Sequence, residues 1–205
     1  MSTIQANLIE PSSGTTLTLG ASGDTVTLPS GVSMSGFNSV GIDDNAVANA
    51  ITIDSSGAVT KPLTPAFFAK NTSTRMNVTG NAVLYTVIFD TELFDQNADY
   101  DTSTGQFTAP VSGRYFLQAQ VSTDGQTTTN TDATFQLNTS NQSEDTYYNP
   151  GNMEGTAATG QVSINNSGIF DMDANDTANV KVRVNQGTQV INVMVNTFFS
   201  GVLVA

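Results

Sequence analysis

Cysteine, histidine and tryptophan are all absent from the 205-residue sequence. Without cysteine there can be no disulfide framework and no thiolate-bound metal. Without histidine the chain lacks the commonest general base and the commonest metal ligand among side chains. These absences argue against an enzyme, and we expect a protein with no catalytic activity.

Positive charge is also scarce. Six Lys and Arg face eighteen Asp and Glu, which gives a net charge of −12 at pH 7. A surface of this sign repels nucleic acid and anionic membranes. No apolar run approaches the roughly 20 residues of a spanning helix. Residues 1–10 have neither the basic nor the apolar segment of a signal peptide. We therefore expect no nucleic-acid partner, no membrane insertion and no export signal.

Residues 1–62 show short apolar pairs between Gly, Pro and Ser turns, a pattern that predicts short strands. The pairs are Leu17 and Leu19, Val26 and Leu28, Val32 and Met34, and Ile51 and Ile53. About 60 such residues cannot build a self-sufficient core. Disorder, a small β domain, or a stem that buries its pairs against copies of itself remain open, and the stem is favoured.

The segment "TKPLTPAF" carries Pro62 and Pro65, and this spacing predicts an extended hinge between two regions. We place the N-terminal stem at residues 1–62 and a head domain at residues 63–205. The stem is expected to attach the protein to a larger assembly.

Longer alternating segments follow in the head domain. Apolar side chains share one face in four series, which are Val83 to Phe89, Tyr115 to Val121, Val180 to Val184 and Ile191 to Phe199. No stripe of helical period appears. The pattern predicts an all-β fold, a two-sheet jelly-roll sandwich.

One block of the head domain is patterned more tightly than the rest. It contains Phe94, Asp95, Asn97, Tyr100, Asp101, Thr104, Gly105, Phe107, Pro110, Gly113, Tyr115 and Phe116, and the chain closes with "TFFSGVL", which includes Phe199 and Gly201. Over residues 65–205 these features resemble the C1q-like globular domain, the jelly roll of the C1q and tumour-necrosis-factor superfamily. Asn175 stands where that family usually has Gly.

The block also predicts local structure. Gly105 and Gly113 fall where turns need a permissive backbone, and Pro110 fits only an edge or a strand end. Phe107 and Tyr115 are expected on apolar faces of neighbouring strands. The resemblance itself implies a homotrimer packed about a threefold axis through aromatic and aliphatic side chains.

The N-terminal text "SSGTTLTLGASGDTVTLPSGV" is similar to the start of many bacteriophage tail-fibre and appendage proteins. This second resemblance implies a trimeric fibre or spike on the virion surface. Its stem would contact other virion proteins, and its head would bind a host-surface glycan or protein. Two alternatives remain open: a decoration protein that cements the capsid or tail, and a bacterial C1q-like surface adhesin.

Residues 138–155 are predicted to form the longest polar loop. The loop places Tyr147 and Tyr148 beside Glu144 and Asp145. Paired tyrosines next to acceptors suit recognition of carbohydrate or protein at a loop tip. Packing of the tyrosines under their own loop is the alternative.

Asp95, Asp99 and Asp101 crowd another probable loop. Clustered carboxylates can hold Ca²⁺ through oxygen ligands, so calcium is the one cofactor that the sequence suggests. The alternative is a solvated acidic rim.

Overall fold

The computed structural model describes residues 13–14, 48, 50–127, 129–149, 161–185, 187–188 and 190–205. The chain divides into two compact units, Met1–Val47 and Ala48–Ala205. The strands predicted at Leu17–Leu19, Val26–Leu28 and Val32–Met34 lie outside the described residues.

The described residues form fifteen strands and no helix. The strands are β1 (Thr52–Ile53), β2 (Val59–Thr60), β3 (Ala66–Lys70), β4 (Arg75–Thr79), β5 (Tyr85–Thr86), β6 (Thr91–Asp95), β7 (Tyr100–Asp101), β8 (Gln106–Thr108), β9 (Gly113–Asp124), β10 (Ala133–Thr139), β11 (Ser143–Tyr148), β12 (Val162–Met172), β13 (Thr177–Val184), β14 (Ile191–Val193) and β15 (Phe198–Leu203).

Thirteen of these strands build two antiparallel sheets. Sheet I has six strands. Five follow the order β11-β10-β13-β8-β7, and the sixth, β5, pairs with β13 on the same side as β8 but further along β13. Sheet II has seven strands in the order β4-β14-β9-β15-β3-β6, and β12 pairs with the other side of β9. The predicted all-β jelly-roll sandwich is confirmed.

Strict alternation explains which side of each sheet faces the core. Along β9 the side chains of Tyr115, Leu117 and Ala119 are fully buried, whereas Phe116 and its even-numbered neighbours point outward. Along β13 every second residue is buried, from Ala178 to Val184. The two buried faces meet between the sheets, where removing apolar surface from water supplies most of the stabilisation.

Aromatic rings fill one part of the core. The Phe67 ring lies 4.7 Å from Phe107, 4.9 Å from Phe199 and 5.2 Å from Tyr100, measured between ring centroids. Phe107 also meets Tyr115, at 5.5 Å. The prediction that Phe107 and Tyr115 lie on apolar faces is confirmed, since both are buried. The prediction that their strands are neighbours is wrong, because the strands belong to different sheets and the rings face each other across the sandwich.

The turn residues of the block behave differently from one another. Gly105 has φ +73°, so the predicted need for a permissive backbone is confirmed. Gly113 starts β9 without a positive φ; a Cβ there would lie 2.6 Å from Leu203 Cδ1 and 2.7 Å from the Ala205 carbonyl oxygen, so this position needs space. Pro110 lies between β8 and β9, a strand-end site as predicted.

The proline segment at 62–65 is not extended. The Thr64 N–H donates to the Lys61 carbonyl at 3.1 Å, which closes a turn with Pro62 at its second position. Proline favours that position because its fixed φ suits the turn. Gln96 holds the turn in place, since its Nε2 lies within 3.0 Å of three carbonyl oxygens between residues 61 and 64.

The alternating segment at 191–199 is interrupted in its middle. β14 ends at Val193 and β15 begins at Phe198, and both pair with the same side of β9. Between them the Ser122 N–H donates to Thr197 Oγ1 at 3.0 Å instead of to a carbonyl. The ladder of backbone hydrogen bonds to β9 is interrupted here, and Val195, between the two strands, is exposed.

β1 and β2 form a separate two-stranded hairpin, which confirms the predicted strand at Ile51 and Ile53 and the turn after it. The Asp54 carboxylate accepts from the Ser56 N–H at 2.8 Å and the Ala58 N–H at 2.9 Å. Gly57 completes the turn with φ +85°.

Candidate functional site

The predicted loop at 138–155 is a hairpin over its described part. β10 and β11 pair in register from Ala133 opposite Tyr148 to Asn138 opposite Ser143. The two tyrosines therefore lie next to each other on one strand, and their side chains point to opposite faces of sheet I. The packing alternative applies to Tyr148, and recognition by Tyr147 stays a prediction.

Tyr148 points toward the core. Its ring packs against the small apolar cluster of Ala133, Val184 and Ile191. Its hydroxyl accepts a hydrogen bond from Gln126 Nε2 at 3.2 Å. Burial raises the pKa of this phenol. Tyr148 is thus a structural residue that closes one end of the sandwich.

Tyr147 points outward and is 68% exposed. Its hydroxyl donates to Asp145 Oδ2 at 2.9 Å, and this bond raises the pKa of the phenol. Asp145 also accepts from Gln136 Nε2 at 3.1 Å and from the Ser143 hydroxyl. These bonds keep the pKa of Asp145 below its usual range despite partial burial, which acts in the opposite direction. The exposed ring is therefore held by a charged, hydrogen-bonded anchor.

Glu144 does not join this group. It lies opposite Leu137, whose side chain is in the core, so Glu144 faces away from Tyr147. Its Oε1 accepts from Gln142 Nε2 at 2.6 Å. Of the four predicted binding residues, the structure brings together Tyr147 and Asp145 alone.

An open cavity of about 230 Å³ adjoins the Tyr147 ring on the outer face of sheet I. Its lining residues are Ala82, Leu84, Thr134, Gln136, Tyr147 and Arg183. Pairing of β11, β10 and β13 explains the arrangement, because Tyr147 is opposite Thr134 and Thr134 is opposite Arg183. Sequence reasoning missed five of these residues, since only strand pairing brings them to one place.

Arg183 is the cation of this cavity. Its Nη2 lies 3.3 Å from Asp132 Oδ2 and 3.3 Å from Thr134 Oγ1, which are long contacts for hydrogen bonds. Its Nε is buried and has no hydrogen-bond partner among the described residues. The alternation of Lys181 and Arg183 with buried valines was the one sequence signal that pointed to a charged outer face here.

Two of the three aspartates of the predicted calcium loop accept hydrogen bonds from the backbone of their own loop. Asp95 accepts from the Asp99 N–H at 3.1 Å and the Tyr100 N–H at 2.9 Å. Asp101 accepts from the Ser103 N–H at 2.8 Å, and the Ser103 hydroxyl lowers the pKa of this carboxyl most strongly. Asp99 differs, because its Oδ2 is buried and lacks a hydrogen-bond partner within the part of the chain that the structure describes.

Across the described part of the chain, no group of three or more acidic side chains is arranged to hold a metal ion. Calcium binding stays a prediction, and a melting curve in calcium compared with one in chelator tests it.

The remaining residues of the patterned block stabilise the fold. The Tyr100 hydroxyl donates to the Phe89 carbonyl at 3.3 Å, and the Tyr115 hydroxyl donates to the Val111 carbonyl at 2.7 Å. Gly201 has no room for a side chain, because a Cβ there would lie 2.6 Å from atoms of both Leu117 and Phe67.

The outer face of sheet II carries a group of apolar side chains. We call the set Phe68, Phe94, Phe116, Ile169, Phe198 and Val202 the outer apolar face. Phe68 stacks on Phe198 with centroids 5.2 Å apart, and Phe94 lies 6.4 Å from Phe68. Ile169 is 62% exposed and Phe94 is 53% exposed. Apolar patches of this kind mark interaction surfaces.

Within the described residues there is no helix of the length and apolarity that crossing a bilayer requires.

Comparison with known proteins gives one family. The protein-family model described as "C1q domain" matches residues 66–204. No curated protein matches the chain. The globular domain of zebrafish complement 1qA protein is 18% identical over 69% of this chain and 98% of its own, with a TM-score of 0.47. Murine APRIL at pH 8.5 is 12% identical over 69% of this chain and 99% of its own, also with a TM-score of 0.47.

Proposed function

Because the chain belongs to the C1q domain family, whose members commonly trimerise and mediate binding, we propose that it is a homotrimeric, non-enzymatic binding protein of a bacteriophage particle. The trimer forms a fibre or spike on the virion surface. Residues 1–62 attach it to other virion proteins, and residues 63–205 bind a glycan or protein on the host surface.

The outer apolar face carries the proposal of a trimer. Three phenylalanines, Phe68, Phe94 and Phe198, form a contiguous ring cluster on the outside of sheet II. Phe94 is 53% exposed, and the other two rings are partly exposed. Aromatic residues dominate the energetics of protein interfaces, so an exposed aromatic cluster favours an interface. In a closed cyclic trimer, each copy covers the outer apolar face of its neighbours.

The β1–β2 hairpin supports the same arrangement for the stem. Ile51, Ile53 and Val59 are between 60% and 68% exposed. A two-stranded hairpin with these side chains in water is marginal by itself. Packing against the same hairpin of two other copies buries them.

The Tyr147 cavity supports the binding role. It lies on the outer face of sheet I, on the opposite side of the sandwich from the outer apolar face. In a trimer that buries the outer apolar face, three such cavities stay accessible to a host surface. Several weak contacts per particle then combine into strong attachment.

Light scattering of the full chain tests the trimer. We expect three copies in the wild type, and monomers after Phe198→Glu or Ile169→Glu, because each change places a charge in a desolvated apolar contact. Val83→Glu changes an exposed side chain outside the face and should leave a trimer. Circular dichroism checks that each variant folds. A wild-type monomer refutes the proposal.

Mass spectrometry of purified particles, together with the genes flanking the coding sequence, tests the virion role. Presence among tail proteins, combined with host attachment blocked by the free protein, supports a fibre or spike. Presence in particles without any effect on attachment points to a decoration protein. Absence from particles and presence on the bacterial surface points to an adhesin.

A further inference from the structure

The geometry of the sheet I cavity points to a neutral hexose ring as the ligand that this protein binds. The inference builds on the proposed host-binding role and names the chemistry of the receptor. It depends on the described side chains around Tyr147 and on no property of the outer apolar face.

Tyr147 supplies an aromatic surface that is already in place. Its ring borders the cavity, is 68% exposed, and is held through its hydroxyl by Asp145 at 2.9 Å. A ring that is fixed before binding loses little conformational entropy when a ligand arrives. The C–H face of a pyranose is apolar and can cover such a ring, with Leu84 adding apolar surface at the cavity wall.

The polar side chains of the cavity offer both donors and acceptors. Arg183 and Gln136 provide N–H groups, and Thr134 provides a hydroxyl that can donate or accept. Asp145, which holds Gln136 at 3.1 Å, adds a carboxylate at the edge of the same face. Sugar hydroxyls both donate and accept, so a mixed set matches them better than a set of one kind.

Charge favours a neutral ligand over an anion. The guanidinium of Arg183 already faces Asp132 at 3.3 Å. Lys181 and Asp145 lie in the same row of the sheet, on either side of Gln136, so this row carries charges of both signs. The chain as a whole carries −12, which repels polyanionic glycans.

Size favours a single ring. The cavity of about 230 Å³ is smaller than the roughly 300–1,000 Å³ of pockets that enclose drug-sized molecules. One terminal hexose suits a cavity of this volume better than an internal stretch of a polysaccharide.

Saturation-transfer NMR on the full chain tests the inference with four probes. These are the methyl glycosides of glucose, galactose and mannose, and methyl glucuronoside as the anionic match. We expect transfer to the ring protons of at least one neutral hexoside. Tyr147→Ala and Arg183→Met should each weaken that binding at least tenfold. Tyr147→Phe keeps the ring but loses the bond to Asp145, so its effect should be smaller.

Gln142→Ala is the matched control, because Gln142 is exposed in the turn of the same hairpin and does not line the cavity. The inference is overturned if no neutral hexoside binds, if the glucuronoside alone binds, or if Tyr147→Ala binds as the wild type does. A monomer that binds a hexoside in the expected pattern would refute the proposed trimer and support this inference. A trimer that binds none would do the reverse.

Discussion

Asn175 occupies a backbone conformation that most side chains avoid. Its φ is +74°, in the turn between β12 and β13, and its N–H donates to the Ala109 carbonyl at 2.7 Å. The family resemblance suggested Gly at this position, and the positive φ supplies the physical reason. Asparagine is the side chain that tolerates this region best after glycine, since its short amide can bond locally.

Substitution at Asn175 should follow the cost of the left-handed conformation. We expect Asn175→Ala to lower the free energy of unfolding by about 1 kcal/mol and Asn175→Gly to leave it within about 0.5 kcal/mol of the wild type or raise it. Urea unfolding of the full chain measures both.

Ala174→Gly is the control in the same turn, since Ala174 has no positive φ. There glycine should destabilise, by about 0.5 kcal/mol, because it adds freedom to the unfolded chain alone. Equal effects of glycine at positions 174 and 175 would contradict the argument.

Asp99 and Asp101 lie two residues apart and should respond to pH in opposite directions. Burial first, and then the charge of Asp95, raises the pKa of Asp99. The folded protein therefore holds this proton more tightly than the unfolded chain, so the stabilising effect of protonation is lost as the pH rises through the folded pKa. The pKa of Asp101 is lowered by its Ser103 bonds, so its contribution exists at neutral pH and is lost as the pH falls.

We expect Asp99→Asn to raise the melting temperature at pH 7 and to have little effect near pH 3, where the wild-type carboxyl is neutral as well. Asp101→Asn should lower the melting temperature at pH 7, and this deficit should also shrink near pH 3. Thermal melts at the two pH values measure all four differences. A gain for Asp99→Asn that persists at pH 3 would indicate a packing effect and not a charge effect.

At the scale of one element, β11 shows how alternation assigns different roles to adjacent tyrosines. Tyr148 packs on Ala133, Val184 and Ile191, whereas Tyr147 is mostly in water. We expect Tyr148→Ala to cost about 2–3 kcal/mol of unfolding free energy through lost burial. Tyr147→Ala should change it by no more than about 0.5 kcal/mol. Denaturant unfolding of both variants gives the comparison, and equal costs would mean that both rings contribute to packing.

A structural feature of this molecule can be predicted from the sequence when the pattern that specifies it lies within one short segment. The buried series on β9 and β13 follow from alternation, and the jelly-roll expectation followed from the many alternating segments of the head domain. The block around Tyr100 and Tyr115 added the resemblance to the C1q-like domain. β11 was interpreted as loop because its inward side also carries polar residues, Glu144 and Thr146, so this edge strand has little apolar alternation to detect.

The cavity shows the second limit of local signals. Tyr147 and Arg183 meet through Thr134, and the three residues belong to three different strands. Nothing near any of them in the sequence specifies this pairing, since register depends on the fold of the whole sheet. Phe68 and Phe198 come together in the same way, from opposite ends of the head domain.

At the scale of the whole molecule, the proposed trimer has to overcome the repulsion of its own charge. Each copy carries −12, because eighteen Asp and Glu outnumber six Lys and Arg. Apolar contacts across the outer apolar face do not weaken in salt, whereas repulsion between copies does. The balance predicts that salt strengthens assembly.

We therefore expect the dissociation constant of the trimer to fall as NaCl rises from 0.01 M to 0.15 M, because the screening length shortens from about 30 Å to about 8 Å. Light scattering over a dilution series at each salt concentration measures it.

Lys70 and Arg114 lie on the outward side of sheet II and could form ion pairs across the interface. Exposed pairs contribute only about 0.2–1 kcal/mol each, so they should not reverse the trend. Lys70→Gln and Arg114→Gln serve as controls: under net repulsion they make the salt dependence steeper. A trimer that dissociates as salt rises, and loses that response in these two variants, would show that ion pairs hold it together.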